Sequence, residues 1–403
     1  MLIGLDLRCL PNDGSDGSGV AHAARALCLQ LMQDESVEWK AFVPRGAVFT
    51  LSVILAKAGI QYNEIDSNES LRLRQKDDKK KVVELSDNSS KSLRRALKQN
   101  PCDILFVPSG AISPGLGVTA VPWVHDLTIF DHPEWFPQSW LKRQITTRFF
   151  LRGIKRAPVV FAISEYTKRA IVRIANIPES RVVVTYEGGD ETLRLIKNYE
   201  LRIKNSNQNS SKEYCQKKWG IKSPFILALG TVEPRKNLAM LIRAWKAALN
   251  PLRAEPSGQE RGVCLAIAGR DGWKFEDVNR EIRNLKSDEA SRFYRIKDFN
   301  DEDKRQLLLA ADAVAIPSLD EGFGLVVLEA MQAGTRVIAS DRGALPEVVG
   351  DAGLLIDPTD EGGWTKALAQ MTNAKCQMPN ESWDEKFSWE KTAQVILESL
   401  KKI

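Results

Sequence analysis

The chain has 403 residues, 43% of them hydrophobic and 27% charged, with a formal net charge of +5. That length exceeds one ordinary core and points to two domains in a globular protein of normal composition. The charge is too mild to imply a nucleic-acid partner, and no run approaches the ~18–20 apolar residues of a membrane span.

The N-terminus enters an apolar strand at once, Leu2 to Leu7, with no basic region or cleavage site, so no leader is expected. The cysteines at 9, 28, 102, 215, 264 and 376 have no paired spacing. They read as small core fillers in a reducing compartment, with the cytosol as the default.

Strand and helix patterns alternate along the whole chain, which argues for parallel sheets with crossover helices. In the first half the strand candidates are Leu2–Leu7, Trp39–Val43, Ile104–Pro108, Ala120–Val124, Pro158–Ile163 and Arg181–Tyr186. In the second half they are Phe225–Leu229, Val263–Ala268, Arg292–Ile296, Ala313–Pro317 and Arg336–Ala339. The charged stretch 66–95 reads as a surface insertion. The polar stretch 195–218, with KNSNQNSSKE at 204–213, reads as an inter-domain linker or a mobile loop.

The first strand is followed by the glycine-rich loop PNDGSDGSGV, 11–20, which is not a G-x-G-x-x-G fingerprint. His125 ends the buried run Ala120–Val124, and Asp126 after it reads as a cap for the next turn. From Trp140 to Arg156 there are six basic residues and no acidic one, interleaved with Leu141, Ile145, Phe149, Phe150 and Leu151. Such a helix either rests on an anionic membrane surface or packs with a solvated basic face. The strand Phe225–Leu229 ends in Gly230, and Arg235 and Lys236 follow in its loop. Two fixed cations there suit an anionic group such as a diphosphate, Arg through its planar fork and Lys as a compact charge. Asp301-Glu302-Asp303 spells a D-x-D, but it opens a helical run and complements the helix dipole. No metal is expected.

The densest information lies in EGFGLVVLE, 321–329. Glu321 sits between a buried strand and a helix, and Glu329 about a turn inside that helix. A rise of ~1.5 Å per residue leaves the two carboxylates roughly 10 Å apart. Gly322 and Gly324 let the backbone come close between them, where the helix N-terminus favours an anion. A sugar, a diphosphate and a ribose in a row match that layout, so the ligand indicated is a nucleotide-sugar.

The run PSLDEGFGLVVLEAMQAGTRVIASDRGALPEVVGDAGLLIDP, 317–358, closely resembles the signature of the family 4 glycosyltransferases. GTVEPRKN at 230–237, HDLTIFDHPEWF at 125–136 and SEYTKRAI at 164–171 extend the resemblance over most of the chain. It implies an α/β GT-B fold, two doubly wound Rossmann-like domains facing a central cleft. The expected N-terminal domain is 1–195, with a linker at 196–219 and a nucleotide-sugar domain at 220–384. A C-terminal helix, 385–403, is expected to pack back on the first domain.

By the same resemblance Arg235 and Lys236 bind the donor diphosphate, Glu321 the donor-sugar hydroxyls, and Glu329 the ribose. Backbone amides near Phe323, Gly324 and Leu325 meet the sugar or phosphate, Gly19 approaches the phosphate, and His125 lies beside the donor sugar and acceptor. Val326 stands where many relatives carry proline, a mild change at a helix start. Tyr186-Glu187-Gly188-Gly189-Asp190 departs from the usual proline-containing linker. The implied activity is retaining transfer of a hexose from a GDP- or UDP-hexose, without a cofactor, to a glycan or lipid-linked saccharide. The HDL and HPEWF runs resemble the mannosyltransferase-type members, so mannose is the first expectation. A catalytically silent nucleotide-sugar-binding subunit and another GT-B enzyme, such as a sugar-nucleotide epimerase, are the alternatives.

Overall fold

A computed structural model describes residues 1–11, 19–44, 47, 80–190, 192–193, 206–252, 263–370 and 385–403. Seven strands form the first sheet: β1 (Leu2–Asp6), β2 (Glu38–Val43), β3 (Lys80–Glu84), β4 (Ile104–Val107), β5 (Thr119–Val124), β6 (Val160–Ala162) and β7 (Val182–Val184). They pair in the order β3-β2-β1-β4-β5-β6-β7, all parallel. Six more form the second sheet: β8 (Phe225–Leu229), β9 (Cys264–Ala268), β10 (Phe293–Ile296), β11 (Ala313–Ile316), β12 (Arg336–Ser340) and β13 (Leu354–Ile356). Their order is β10-β9-β8-β11-β12-β13, again parallel. Parallel strands covered on both faces need continuous apolar runs. The wholly buried ILFV of β4, CLAIA of β9 and AVAI of β11 are such runs.

The longer helices used below are α1 (Gly19–Leu31), α2 (Ser90–Gln99), α3 (Trp140–Arg156), α4 (Glu165–Ala175), α5 (Ser206–Trp219), α6 (Leu238–Leu252), α7 (Asp301–Ala310), α8 (Leu325–Gln332), α9 (Glu361–Gln370) and α10 (Trp389–Leu400). The chain divides into two compact units. One comprises Met1–Phe130, Gln138–Gly188 and Glu385–Ile403; the other comprises Asp131–Pro137 and Gly189–Asp384.

In the first unit, α10 lies on α1. It buries Trp389, Thr392, Ala393, Ile396, Leu397 and Leu400, the spacing of one helical face. Ser388 caps it by accepting from the Lys391 amide, and the Thr392 hydroxyl donates to the Tyr186 carbonyl. Trp389 meets Trp123 edge-on at 6.4 Å, a pairing that adds about 1 kcal/mol to area burial. In the second unit, Trp245 of α6 and Trp364 of α9 are fully buried against β8, β9 and β11. Their indole N–H groups donate to the carbonyls of Val263 (2.8 Å) and Asp357 (3.1 Å), so neither leaves a polar group stranded.

Two expectations need correction. Part of the stretch read as a surface insertion is sheet and helix: 80–84 is the edge strand β3, and α2 begins at Ser90. Val82 and Val83 supply the buried part of β3, which lies at the edge of the sheet. Residues 66–79 lie outside the described residues. Likewise 206–219, expected within a linker, is the helix α5, packed on α7. Polar anchors hold it: the Tyr214 hydroxyl donates to Asp303 at 2.7 Å, Lys218 pairs with the same carboxylate, and Lys212 pairs with Asp312 at 3.1 Å. Residues 194–205 lie outside the described residues.

Cysteines 9, 28, 102, 215 and 264 are free, and burial pushes the Cys9 thiol up to about 12 and the Cys102 thiol up to about 11. Cys376 lies outside the described residues. Among the described residues no helix is long and apolar enough to cross a membrane.

Candidate functional site

Loops at the carboxyl ends of β8 and β11 bring three of the expected residues together in the second unit. Arg235 and Lys236 lie on the short 3-10 turn Pro234–Lys236, and Glu321 on the loop after β11. Arg235 Nη1 and Lys236 Nζ each stand 2.5 Å from a Glu321 oxygen, Oε2 and Oε1 respectively. Ser318 Oγ donates to Oε1 at 2.8 Å. A second carboxylate, Glu233, receives Arg235 Nε at 3.0 Å and Nη2 at 2.8 Å. The two loops are also tied through their backbones, Leu319 N–H to the Arg235 carbonyl at 2.8 Å and Arg235 Nη1 to the Asp320 carbonyl at 3.0 Å.

The cluster is thus two cations against two carboxylates, with Glu321 only 7% exposed. Burial pushes the Glu321 carboxyl up, but Arg235 and Lys236, with hydrogen bonds from Lys236 and Ser318, outweigh it and hold it at about 2. Near neutral pH it is an ionised acceptor. Oε1 carries two donors and Oε2 one, which leaves Oε2 an acceptor position.

Gly324 caps α8 with φ 108°, a conformation that a side chain would strain. Phe323 before it is buried, at 3% exposure, and Leu325 opens the helix. Among the described residues, the amides of Gly324, Leu325 and Val326 have no hydrogen-bond partner, so they are donors available at a helix N-terminus. Gly343, which sequence reasoning passed over, presses on this loop at φ 62°. A Cβ there would come within 2.4 Å of the Glu321 carbonyl oxygen.

Glu329, on α8, is 1% exposed and pairs with Lys304 of α7 at 2.7 Å. Burial works against the Lys304 charge, but Glu329 beside it raises the ammonium above its ordinary range. Lys304 carried no sequence signal beyond its place after Asp301-Glu302-Asp303. That triplet opens α7 as expected: Asn300 and Asp303 exchange side-chain-to-backbone bonds in a capping box, at 2.9 and 3.0 Å.

His125 and Gly19 belong to the first unit. The His125 ring contacts the Pro108 carbonyl through Nε2 at 2.8 Å and the Glu187 carboxylate through Nδ1 at 3.1 Å. A carbonyl only accepts, so Nε2 carries a proton. Both ring nitrogens are engaged, and Trp123 lies against the ring at 4.6 Å. Glu187, from the YEGGD segment, is the partner that the sequence did not reveal. Asp126 accepts from the Thr128 amide at 3.3 Å, the cap expected of it. Gly19 begins α1, and a Cβ there would meet no atom within 4 Å. The rest of its loop, 12–18, lies outside the described residues.

Residues 211–386 match the family model described as glycosyl transferases group 1, and residues 80–193 match that of glycosyltransferase family 4. The O-antigen chain mannosyltransferase B of Escherichia coli is 30% identical over 298 residues, 69% of this chain and 69% of its own. The O-antigen chain mannosyltransferase RfbU of Salmonella typhimurium is 26% identical over 255 residues, 62% of this chain and 61% of its own. Among solved structures, Anabaena HepE in complex with UDP-glucose superposes with a TM-score of 0.70 at 20% identity, covering 100% of both chains. WaaG, a glycosyltransferase involved in lipopolysaccharide biosynthesis, gives 0.59 at 15% identity over 99% of this chain and 95% of that one. These likenesses show the fold, the two parallel α/β sheets of the GT-B class.

Proposed function

The chain belongs to the family 4 glycosyltransferases, group 1, which transfer a sugar from a nucleotide-sugar, and on that premise we propose that it moves mannose, with retention, to an acceptor hydroxyl of a glycan or lipid-linked saccharide. The single observation that carries the donor site is the buried cluster of Arg235 and Lys236 on Glu321. Mannose is favoured by the names of the two O-antigen relatives.

In this reading Arg235 and Lys236 meet the diphosphate and stabilise the charge that grows on it as its bond to the anomeric carbon breaks. The free amides of Gly324, Leu325 and Val326 supply further donors to the same anion. Glu321 accepts a donor-sugar hydroxyl on Oε2, and Glu329, steadied by Lys304, accepts from the ribose.

A carboxylate held at about 2 by two cations is a weak nucleophile, which argues against a covalent sugar on Glu321. We favour attack on the face the leaving group departs from. The bond from the anomeric carbon to the phosphate oxygen breaks, and the acceptor oxygen bonds to the same face. The departing phosphate takes the acceptor's proton. Both ring nitrogens of His125 are already engaged, so its part is one of shape.

The test is calorimetric binding and hydrolysis with GDP-mannose, UDP-glucose, UDP-N-acetylglucosamine and UDP-galactose, on the wild type and Arg235→Ala. GDP-mannose binding that is lost in the variant is the expected result. Preference for another donor overturns the mannose assignment. Binding without turnover, even with candidate acceptors present, favours a silent nucleotide-sugar-binding subunit, and trapping of a glycosyl-Glu321 adduct overturns the mechanism.

A further inference from the structure

The helix α3 is unlike every other long helix described above. Only Ile154 of its seventeen residues is buried. Its large apolar side chains stand in solvent: Trp140 is 65% exposed, Leu141 62%, Ile145 49% and Phe149 47%. At about 100° per residue Leu141, Ile145 and Phe149 fall on one face, opposite Ile154, while Trp140 opens the helix about 40° from Ile154. Arg148, Arg152 and Arg156, one turn apart, fall in the same arc. No side chain among Lys142, Arg143, Arg148, Arg152, Lys155 and Arg156 makes an ion pair with any described residue, and the helix has no acid of its own. At Arg235, Lys304 and Arg305, by contrast, the cation is paired with a carboxylate.

Beside the helix is a pocket of about 480 Å³, closed by the segment that joins β4 to β5. Phe149, Arg152 and Arg156 form one wall, and Gly115, Leu116 and Gly117 belong to the other. Its volume is in the range of small-molecule sites. It borders the start of β5, whereas His125 follows the end of that strand, roughly 17 Å along at ~3.3 Å per residue. The pocket is therefore separate from His125.

We propose that α3 lies on an anionic phospholipid surface and seats one lipid phosphate between Arg152 and Arg156. Unpaired guanidinium groups on a helix without acids call for anions, and each can grip a phosphate through two N–H groups. A free phosphate would satisfy the arginines but leave Trp140, Leu141, Ile145 and Phe149 in water. A lipid surface takes both, since cations sit among the headgroups while tryptophan and aliphatic side chains enter the acyl boundary. The proposal goes beyond the donor-site reading and does not depend on it.

The experiment is co-sedimentation of the full chain with vesicles of phosphatidylcholine alone and of two parts phosphatidylcholine to one part phosphatidylglycerol. Binding to the mixed vesicles, lost at high salt and absent from phosphatidylcholine alone, is expected. Ile145→Gln with Phe149→Gln should weaken it at least tenfold. Charge alone contributes about fivefold per cation, so Lys142→Gln with Lys155→Gln should cost about 25-fold. Arg152→Gln with Arg156→Gln should cost more than Lys142→Gln with Lys155→Gln, by a further tenfold or so. Equal losses for the two pairs overturn the phosphate seat. Equal binding to both vesicle types overturns the surface. So does a solution dimer that the Ile145→Gln, Phe149→Gln variant splits. All these positions are partly or wholly exposed, so unchanged thermal midpoints are expected and are checked alongside.

Discussion

Two regions concentrate positive charge, and they do so in opposite ways. At Arg235 and Lys236 the cations are partly buried, each within 2.5 Å of Glu321, and Arg235 is also clamped by Glu233. On α3 six cations stand on an exposed helix without a carboxylate partner among the described residues. A group that must stabilise charge at one atom has to be held there before the ligand arrives, and opposing carboxylates do the holding. A group that meets a surface needs reach, not position, so it stays solvated and mobile. The same residue types therefore have unlike consequences when removed.

The largest effect is expected at Arg235. Arg235→Ala removes a donor from the phosphate and leaves Glu233 and Glu321 short of a partner. A loss of about 10²–10³ in kcat/KM is expected, the scale for one transition-state donor. A steady-state assay with the donor identified by calorimetry checks it. A loss below tenfold would break the contrast, because it would mean that Arg235 serves the fold alone.

Next comes Glu321, whose charge should be visible in stability. Its carboxyl is depressed from 4.5 to about 2 in the folded chain. The unfolded chain therefore binds the proton more readily, and the stabilisation is fully present above about pH 4.5. It is lost as pH falls from there toward 2, with a total of about 3 kcal/mol for the shift. Glu321→Gln should flatten that part of the acid-unfolding curve while Arg235 and Lys236 lose their counter-charge at neutral pH. An unchanged acid slope in the variant would show that the carboxylate is not paired this way in solution.

How much of this could be read without coordinates follows the same division. The sheets were legible because β4, β8, β9 and β11 are unbroken apolar runs, and a buried parallel strand leaves such a mark. β13 was passed over because it is three residues at an edge, with Leu354 exposed and Leu355 and Ile356 only partly buried. α5 was passed over because Tyr214, Cys215 and Trp219 are too few to make an apolar face, and its hold is the polar set around Asp303. At the site, Arg235, Lys236 and Glu321 were legible as types in loops after strands, and Glu329 as an acid about a turn inside the helix that follows. Their partners were not. Lys304 and Glu187 act across separations that no local pattern records, of 25 and 62 residues, while Glu233, two residues before Arg235, carried no charge pattern of its own.

Lys304 should give an intermediate effect. Lys304→Met leaves Glu329 buried and unpaired, which costs about 3 kcal/mol in the usual case. Nucleotide affinity should fall with it, because Glu329 then either takes a proton or turns away from the position it holds. Denaturant melts and nucleotide titrations check the two readouts separately. Lower stability with unchanged nucleotide affinity would detach the pair from the donor site.

The smallest effect belongs to α3, and its smallness is the informative part. Ile145→Gln changes a side chain that is half exposed and Arg152→Gln an exposed one, and neither breaks an ion pair among the described residues. Such changes stay within about 0.5 kcal/mol of wild-type stability. Transfer to a water-soluble acceptor analogue should also be unchanged in kcat and KM. Thermal melts beside that assay give the check. If Ile145→Gln instead costs 2 kcal/mol or more, the scale of a core residue, then the apolar face of α3 is covered in the free protein. The contrast between a clamped charge and a solvated one would then fail on its exposed side, because α3 would have a protein partner before it met any lipid.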